Sequence, residues 1–187
     1  PCANPVPTDS PPVNNPPIFY HYDGNDVESQ DGWCKSFVWA TQADRFQLMP
    51  NGWLEMLRPD AFKSIVSISD DRVHCRYGPP PTESCSLTTP TTLCEYDDSD
   101  ATQGMAAAMK FDAALQTLSP THFGTPAKRN YVWHSMVGVV DKPGGGAYAP
   151  TEPLVTSKCT SAVNTSPGNQ NLSLLTGGLR FPVCEGQ

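Results

Sequence analysis

The stretch Ser64-Ile65-Val66-Ser67-Ile68-Ser69-Asp70-Asp71 decides the fold of this chain. Its β-branched residues favour a strand, and a strand of this composition is typical of a buried position in a parallel sheet. It ends abruptly at two aspartates, which favour turns. We therefore expect a strand at 64–69 inside an α/β domain, with Asp70 and Asp71 directly after its carboxyl end.

Helices and strands alternate downstream of this stretch. The elements that we expect there are a helix capped by Ser99 or Asp100 and ended by Pro120, a buried strand at Tyr131–Val140, a short helix near Asn169–Leu175 and an edge-like strand at Leu179–Cys184. This order predicts an α/β fold with a mostly parallel sheet that is flanked by helices.

The region upstream of the strand has weaker patterns. The elements predicted there are a short strand at Ile18–Tyr22, one or two helices within Asp31–Leu48 and a short helix at Trp53–Leu57. Residues 1–17 are rich in proline and predict an extended lead-in. We expect one domain over residues 18–187, with a cysteine-bearing loop at 72–98 inside it.

The charge of the chain excludes one class of partner. Lys and Arg total 12 against 19 Asp and Glu, a formal net charge of −7, and no basic run occurs. A phosphate backbone would be repelled, so we exclude nucleic acid as a partner. The longest apolar stretches, such as Ile65–Ile68 and Tyr131–Val140, are too short to span a bilayer. The acidic run Glu95–Asp100 indicates solvated carboxylates that favour a helix start.

Seven cysteines indicate an oxidising compartment. They are Cys2, Cys34, Cys75, Cys85, Cys94, Cys159 and Cys184, with no Cys-x-x-Cys pair and no histidine at zinc-finger spacing. Cys75, Cys85 and Cys94 fall in a loop rich in Pro, Ser and Thr, where disulfides would have an obvious use. We expect an extracellular or cell-surface protein, including the periplasm and outer-membrane lipoproteins. The odd count leaves one cysteine that is either free or paired outside this chain.

The loops at the carboxyl end of the sheet are the expected ligand site, because open α/β sheets bind ligands beyond the carboxyl ends of their strands. Asp70 and Asp71 end the clearest strand, and Asp23, Asp26 and Ser29 follow the earlier one. Their oxygen atoms suit Mg²⁺, Mn²⁺ or Ca²⁺ rather than zinc. On composition alone, the simpler interpretation is favoured, in which Asp70 or Asp71 caps a turn.

Three segments resemble the von Willebrand factor type A (vWA) domain, in particular secreted or lipoprotein forms from bacteria. Trp53–Lys63, with the run LRPDA, leads into Ser64–Asp71 and resembles the region of the fourth strand. Phe111–Leu118 with Tyr131–Val140 resembles the next helix and strand. Cys159–Cys184, with the run LLTGGLR, resembles the closing helix and strand. The resemblance implies a vWA-like fold and a disulfide between Cys159 and Cys184.

Domains of this family bind a divalent cation at a metal-ion-dependent adhesion site. Asp70 matches the aspartate that follows the fourth strand, Asp71 would support it, and Ser29 stands in place of the family's threonine. The family's Asp-x-Ser-x-Ser motif and the first, central strand before it are absent from this chain. The resemblance implies Mg²⁺ or Ca²⁺ as the cation and, with the motif absent, a partial site.

The absent strand leaves two interpretations. In the favoured one, the strand lies on an upstream fragment or a companion chain, Cys2 bonds to that missing part, and the described sheet keeps an open edge. In the other, the domain has lost its metal site and rebuilt the sheet.

Three functions follow as hypotheses. The leading one is an extracellular adhesion module that binds a protein or glycan ligand through a divalent cation. The alternative is a structural subunit of an extracellular assembly or filament that uses an open sheet edge without metal. A hydrolase with Asp70 and Asp71 as acid and base is disfavoured, because adjacent side chains at a strand end diverge.

Overall fold

The structure is a computed structural model, and it describes residues 13–16, 18–24, 30–75 and 96–184. The α-helices in these ranges are α1 (Gly32–Trp39), α2 (Ala101–Leu118), α3 (Pro120–Phe123) and α4 (Pro167–Thr176), and a 3-10 helix covers Trp53–Met56. The strands are β1 (Lys63–Ser69), β2 (His74–Cys75), β3 (Tyr96–Asp97), β4 (Gly124–Thr125), β5 (Lys128–Arg129), β6 (Tyr131–Val137) and β7 (Arg180–Pro182).

The strands β1, β6 and β7 form a three-stranded parallel sheet in the order β1-β6-β7. Ser69 lies opposite Val137, and Ser135 lies opposite Arg180. The short strands pair separately, β2 with β3 and β4 with β5, and both pairs are antiparallel. The predicted α/β class and the parallel sheet are confirmed at this level.

The helix α2 begins where the sequence predicts it. The Asp100 side chain accepts hydrogen bonds from the backbone N–H groups of Thr102 and Gln103 at 2.8 and 2.9 Å, which satisfies two donors that a helix start leaves unpaired. Phe111 is buried on the core side of this helix, whereas Met105 is 38% exposed. The helix packs along α4, and α4 packs along β6.

Trp33 of α1 lies at the centre of the core. Its ring centroid lies 4.3 Å from that of Phe111, 5.6 Å from that of Tyr96 and 6.2 Å from that of Trp133. Tilted and T-shaped ring pairs of this kind are favourable beyond the area that they bury. This aromatic cluster joins α1, α2 and β6 around one face of the sheet.

The outer edge of the sheet is open in the described part of the chain. Val66 and Ile68 are 56% and 68% exposed, whereas Ile65 and Ser67 alternate with them on the side of the core. No described segment pairs with β1 on the side opposite β6. The prediction of a buried position for strand 64–69 is therefore wrong within these residues. An open edge is what the absent first strand predicts.

The closing helix and strand follow the sequence prediction closely. Gly177 ends α4 with a φ of 80°, a conformation that glycine adopts without strain. A Cβ atom at Gly178 would overlap the backbone of Trp133, so only glycine fits there. A disulfide joins Cys159 to Cys184, as the resemblance implies.

The predicted strand at Ile18–Tyr22 is wrong. The backbone N–H of Asn15 donates to Phe19 O at 2.8 Å, which makes an isolated bridge around a turn. The Asn14 side chain accepts from the His21 N–H at 2.7 Å and donates to Leu48 O at 3.1 Å. These bonds hold the segment against the loop after α1 and away from the sheet.

The other cysteine predictions are settled only in part. Cys34 is disulfide-bonded. Cys2, Cys85 and Cys94 lie outside the described residues, as does most of the 72–98 loop and of the 1–17 lead-in. Among the helices that the structure describes, none combines the length and apolar character that a bilayer crossing requires.

Candidate ligand-binding rim

Asp70 lies directly after β1, at the carboxyl end of the parallel sheet. Its backbone oxygen accepts hydrogen bonds from the N–H groups of Val163 and Asn164 at 3.0 and 2.9 Å, so the loop before α4 fixes this position. The residue is half-buried and lines a cavity of about 350 Å³. Its side chain makes no hydrogen bond or ion pair with the described residues. This carboxylate is therefore available to a ligand. We call the end of β1 at Ser69–Asp71, together with Val163 and Asn164 of the loop beside it, the rim.

Asp71 is held by hydrogen bonds and is only 5% exposed. Its Oδ2 accepts from Gln30 Nε2 at 3.1 Å, and its Oδ1 accepts from the backbone N–H of Arg72 at 2.7 Å. The Ser69 hydroxyl accepts from the backbone N–H of Asp71 at 3.2 Å. These bonds tie the residues before α1 to the end of β1. Asp71 thus supports the rim, and the two adjacent carboxylates have different surroundings.

A hydrogen-bonded network lies in the cavity beside Asp70. Asn169 Oδ1 accepts from Trp33 Nε1 at 3.2 Å and from the Ser67 hydroxyl at 2.9 Å. The Ser67 hydroxyl in turn accepts from Trp133 Nε1 at 3.0 Å. The network fixes α1, β1, β6 and α4 around the cavity, because each shared atom orients the next. The sequence analysis missed these four residues. One signal for them was Ser67, a polar residue on the core side of a β-branched strand.

A second cavity, of about 320 Å³, adjoins the amino-terminal half of β1. Its lining is mostly apolar and comprises chiefly Trp53, Leu57, Ile65, Phe111, Leu115 and Trp133. Trp133 also lines the first cavity. The two cavities therefore follow one another along the core side of β1.

Asp98 is a fully buried carboxyl group behind the rim, at the start of α4. Its Oδ2 accepts a hydrogen bond from the backbone N–H of Gly168 at 2.7 Å. Burial raises the pKa of Asp98 to about 6, although the hydrogen bonds with Gly168 and Val73 oppose the rise. The prediction that the acidic run Glu95–Asp100 is solvated is wrong at Asp98, because α4 packs over it.

The structure brings together part of the predicted cation site. Ser29 and Asp26 lie outside the described residues, and the Asp23 backbone oxygen accepts from the Arg45 N–H at 3.0 Å in the loop after α1. Within the described ranges, no group of three His, Cys, Asp or Glu side chains could hold a metal ion. Asp70 offers one free carboxylate, whereas Ca²⁺ takes about six to eight oxygen ligands. Further ligands would have to come from elsewhere.

Comparisons with known proteins add no relative to this picture. No protein-family model, no curated protein and no solved structure matches this chain. The rim around Asp70 is therefore the basis for assigning a function.

Proposed function

We propose that this chain is the greater part of an extracellular, vWA-like recognition module. It binds a protein or glycan ligand at the rim around Asp70, with a divalent cation between them. One observation carries the proposal: a carboxylate without a partner among the described residues lies at the carboxyl end of a parallel strand, beside a cavity that Asp70 lines. Ligands of open α/β sheets bind at this end.

The contrast between the two aspartates favours a ligand role over turn capping. A turn-capping aspartate accepts a hydrogen bond from a nearby backbone N–H. Asp71 does so with the N–H of Arg72 at 2.7 Å. Asp70 makes no such bond within the described residues. The turn after β1 is thus capped by Asp71, which leaves Asp70 for another task.

A divalent cation would bridge the rim and an acidic group of the ligand. Asp70 would bind the cation directly or through water, and Ser29 would be a second ligand. Asp71 would orient the rim through Gln30. The remaining ligands would come from the strand that completes the sheet, on an upstream fragment or a companion chain, and from the bound partner. The Cys159–Cys184 disulfide supports an extracellular or cell-surface location.

Calorimetric titration with Mg²⁺ and Ca²⁺ tests this proposal. Asp70→Ala is expected to abolish the heat of cation binding without loss of folding, because this side chain holds no described residue in place. The matched control is Asp60→Ala, which removes an exposed carboxylate at the opposite end of β1 and is expected to leave binding intact. Equal heats from Asp70→Ala and the unmodified chain would refute the cation role. A chain that is extended upstream and still binds neither Mg²⁺ nor Ca²⁺ would refute it as well.

The second candidate is a structural subunit of an extracellular assembly. It is favoured by the open edge of β1, where Val66 and Ile68 are exposed. Copies would then join through sheet edges without metal. Self-association that rises with chain concentration and is unaffected by a chelator would favour this candidate over the first.

A further inference from the structure

The disulfide between Cys159 and Cys184 lies at the surface of the described structure. Both cysteines are partly exposed, and both line a cavity of about 460 Å³. Cys34, which is also disulfide-bonded, is 0% exposed. A thiol can reach and open an exposed disulfide, whereas a buried cysteine is inert. Cys159 and Cys184 are therefore open to thiol chemistry from which Cys34 is protected.

The two sulfur atoms of this disulfide have different surroundings. The Ser161 hydroxyl donates a hydrogen bond to Cys184 Sγ at 3.2 Å. No hydrogen bond from the described residues reaches Cys159 Sγ. A hydrogen bond of this kind stabilises the charged form of the group that accepts it, so Cys184 is the better leaving thiolate. Because the more stable thiolate leaves faster, attack on Cys159 is favoured over attack on Cys184.

The cavity beside the disulfide also carries two charged groups of opposite sign. Lys158 and Asp141 both line it. The Lys158 ammonium donates to Ala162 O at 2.7 Å, which ties it to the turn that follows Cys159. A cation favours the approach of a thiolate, and a carboxylate opposes it. The charges therefore oppose one another, and the hydroxyl at Cys184 decides which sulfur is attacked.

We propose that Cys159 is a site of reversible modification by a low-molecular-weight thiol. The thiolate of that compound attacks Cys159 Sγ. A new sulfur–sulfur bond forms there as the bond to Cys184 breaks, and Cys184 leaves as a thiolate with the electron pair of the broken bond. Attack by Cys184 on Cys159 Sγ reverses the step and expels the compound. No further oxidant or reductant takes part, because one disulfide replaces another.

The disulfide anchors the loop that holds Asp70. Cys159 O accepts from the N–H of Ala162 at 3.2 Å, and the N–H groups of the next two residues, Val163 and Asn164, donate to Asp70 O at 3.0 and 2.9 Å. The disulfide joins this turn to the residues that follow β7. In the modified chain the turn loses this covalent anchor, so its backbone opens more often. The modification therefore loosens the rim, whatever the rim binds.

A purely structural disulfide is the alternative interpretation. It would also join the turn to the end of β7, but it would not require a difference between its two sulfur atoms. The two interpretations therefore differ in whether a thiol becomes attached, and at which cysteine.

Reduced glutathione is the probe, added in excess to the full oxidised chain without denaturant. After acid quenching at early times and alkylation of free thiols, mass spectrometry of peptides locates the adduct. It is expected on Cys159 with Cys184 alkylated, and Cys159 is expected to react about tenfold or more faster than Cys34. An adduct that is mainly on Cys184 or divided equally between the two, or equal rates at Cys159 and Cys34, would overturn the proposal.

Ser161→Ala and Ser161→Thr form a matched pair. Ser161→Ala removes the hydroxyl at Cys184, so the adduct should divide about equally between the two cysteines and form about threefold more slowly or less. Ser161→Thr keeps a hydroxyl and should keep the adduct on Cys159. Thr160→Ala changes the cavity wall without removing the hydrogen bond and should behave in the same way. A distribution that Ser161→Ala leaves unchanged would contradict the choice of leaving group and overturn the proposal.

Amide hydrogen exchange without added cation tests the effect on the rim. Cys184→Ser that carries glutathione on Cys159 supplies the adduct in a form that cannot reverse. Its N–H groups at Val163 and Asn164 are expected to exchange about tenfold or more faster than in the unmodified oxidised chain, while amides in the middle of α2 stay slow. The same acceleration is expected with Asp70→Ala added, which separates this inference from the proposed function. Equal exchange at the two rim amides in the adduct and the oxidised chain would overturn it.

Discussion

At the scale of single residues, three aspartates have different surroundings and therefore different roles. Asp70 keeps a free carboxylate, Asp71 caps the turn after β1, and Asp98 accepts from the N–H of Gly168 at the start of α4. The sequence alone places Asp70 and Asp71 after a strand. It does not predict the burial of Asp98, because that burial depends on α4, which lies some seventy positions further along the chain.

Asp98→Asn is expected to change how stability depends on pH. Because burial raises its folded-state pKa to about 6, the folded chain holds this proton more tightly than the unfolded chain does. Asp98 therefore makes the free energy of unfolding fall as pH rises from about 4 to about 6. The asparagine amide oxygen still accepts from the N–H of Gly168, but it does not titrate in this range. The free energy of unfolding of the variant should therefore rise by up to about 3 kcal/mol relative to that of the unmodified chain between pH 4 and pH 6.

Urea unfolding at several pH values between 4 and 8 checks this prediction. Asp141→Asn, at an exposed position, is the control. Its free energy of unfolding should depend on pH in the same way as that of the unmodified chain. A difference curve for Asp98→Asn that is flat across this range would contradict the assignment of a raised pKa.

At the scale of elements, local patterns predict some segments and tertiary contacts decide others. β1, α2 and α4 are predictable because β-branched runs, the Asp100 cap and the glycine after α4 act locally. The segment Ile18–Tyr22 is not, because the Asn14 side chain joins His21 of this segment to Leu48 and no strand pairs with it. Nor is the network around Asn169, because its other members, Trp33, Ser67 and Trp133, lie on three different elements.

Arg180 of β7 shows how one buried side chain can hold a loop that has no regular structure. It is fully buried and donates to the backbone oxygens of Pro153, Ala149 and Glu152 at 2.7 to 2.9 Å. Burial lowers its pKa, since the charge loses its hydration. The loop before α4, which fixes the backbone of Asp70 through Val163 and Asn164, follows the residues that Arg180 holds.

Arg180→Met is expected to lower the free energy of unfolding by about 3 to 5 kcal/mol, because three carbonyl groups lose the donors that the buried guanidinium supplies. Arg180→Lys should recover only a small part, since an ammonium cannot reproduce the planar fork of a guanidinium. Urea unfolding measures both variants, with Arg58→Met, at an exposed position, as the control. A change of less than about 1 kcal/mol for Arg180→Met would show that water replaces these bonds without cost.

At the scale of the whole molecule, the described residues form a three-stranded parallel sheet with helices packed against it. Helices cover one face, while Val66 and Ile68 remain exposed at the edge strand. Parallel sheets are normally covered on both faces, so a further strand and a further layer would complete the domain. The sequence predicts the open edge through the absence of a first strand. It does not predict the two cavities beside it, because their lining residues, among them Trp33, Trp53 and Trp133, come from distant parts of the chain.

The most direct test of the central claim, that β1 delivers Asp70 to a ligand-binding rim, is paramagnetic broadening of backbone amide signals by Mn²⁺. The account predicts selective broadening at Ser69, Asp70 and Asn164. It predicts none at Asp60, which lies about 20 Å or more away at the other end of β1. The broadening should vanish in Asp70→Ala and persist in Asp60→Ala. Broadening centred on another acidic group, such as Asp97 or Asp100, or unchanged in Asp70→Ala, would contradict the account.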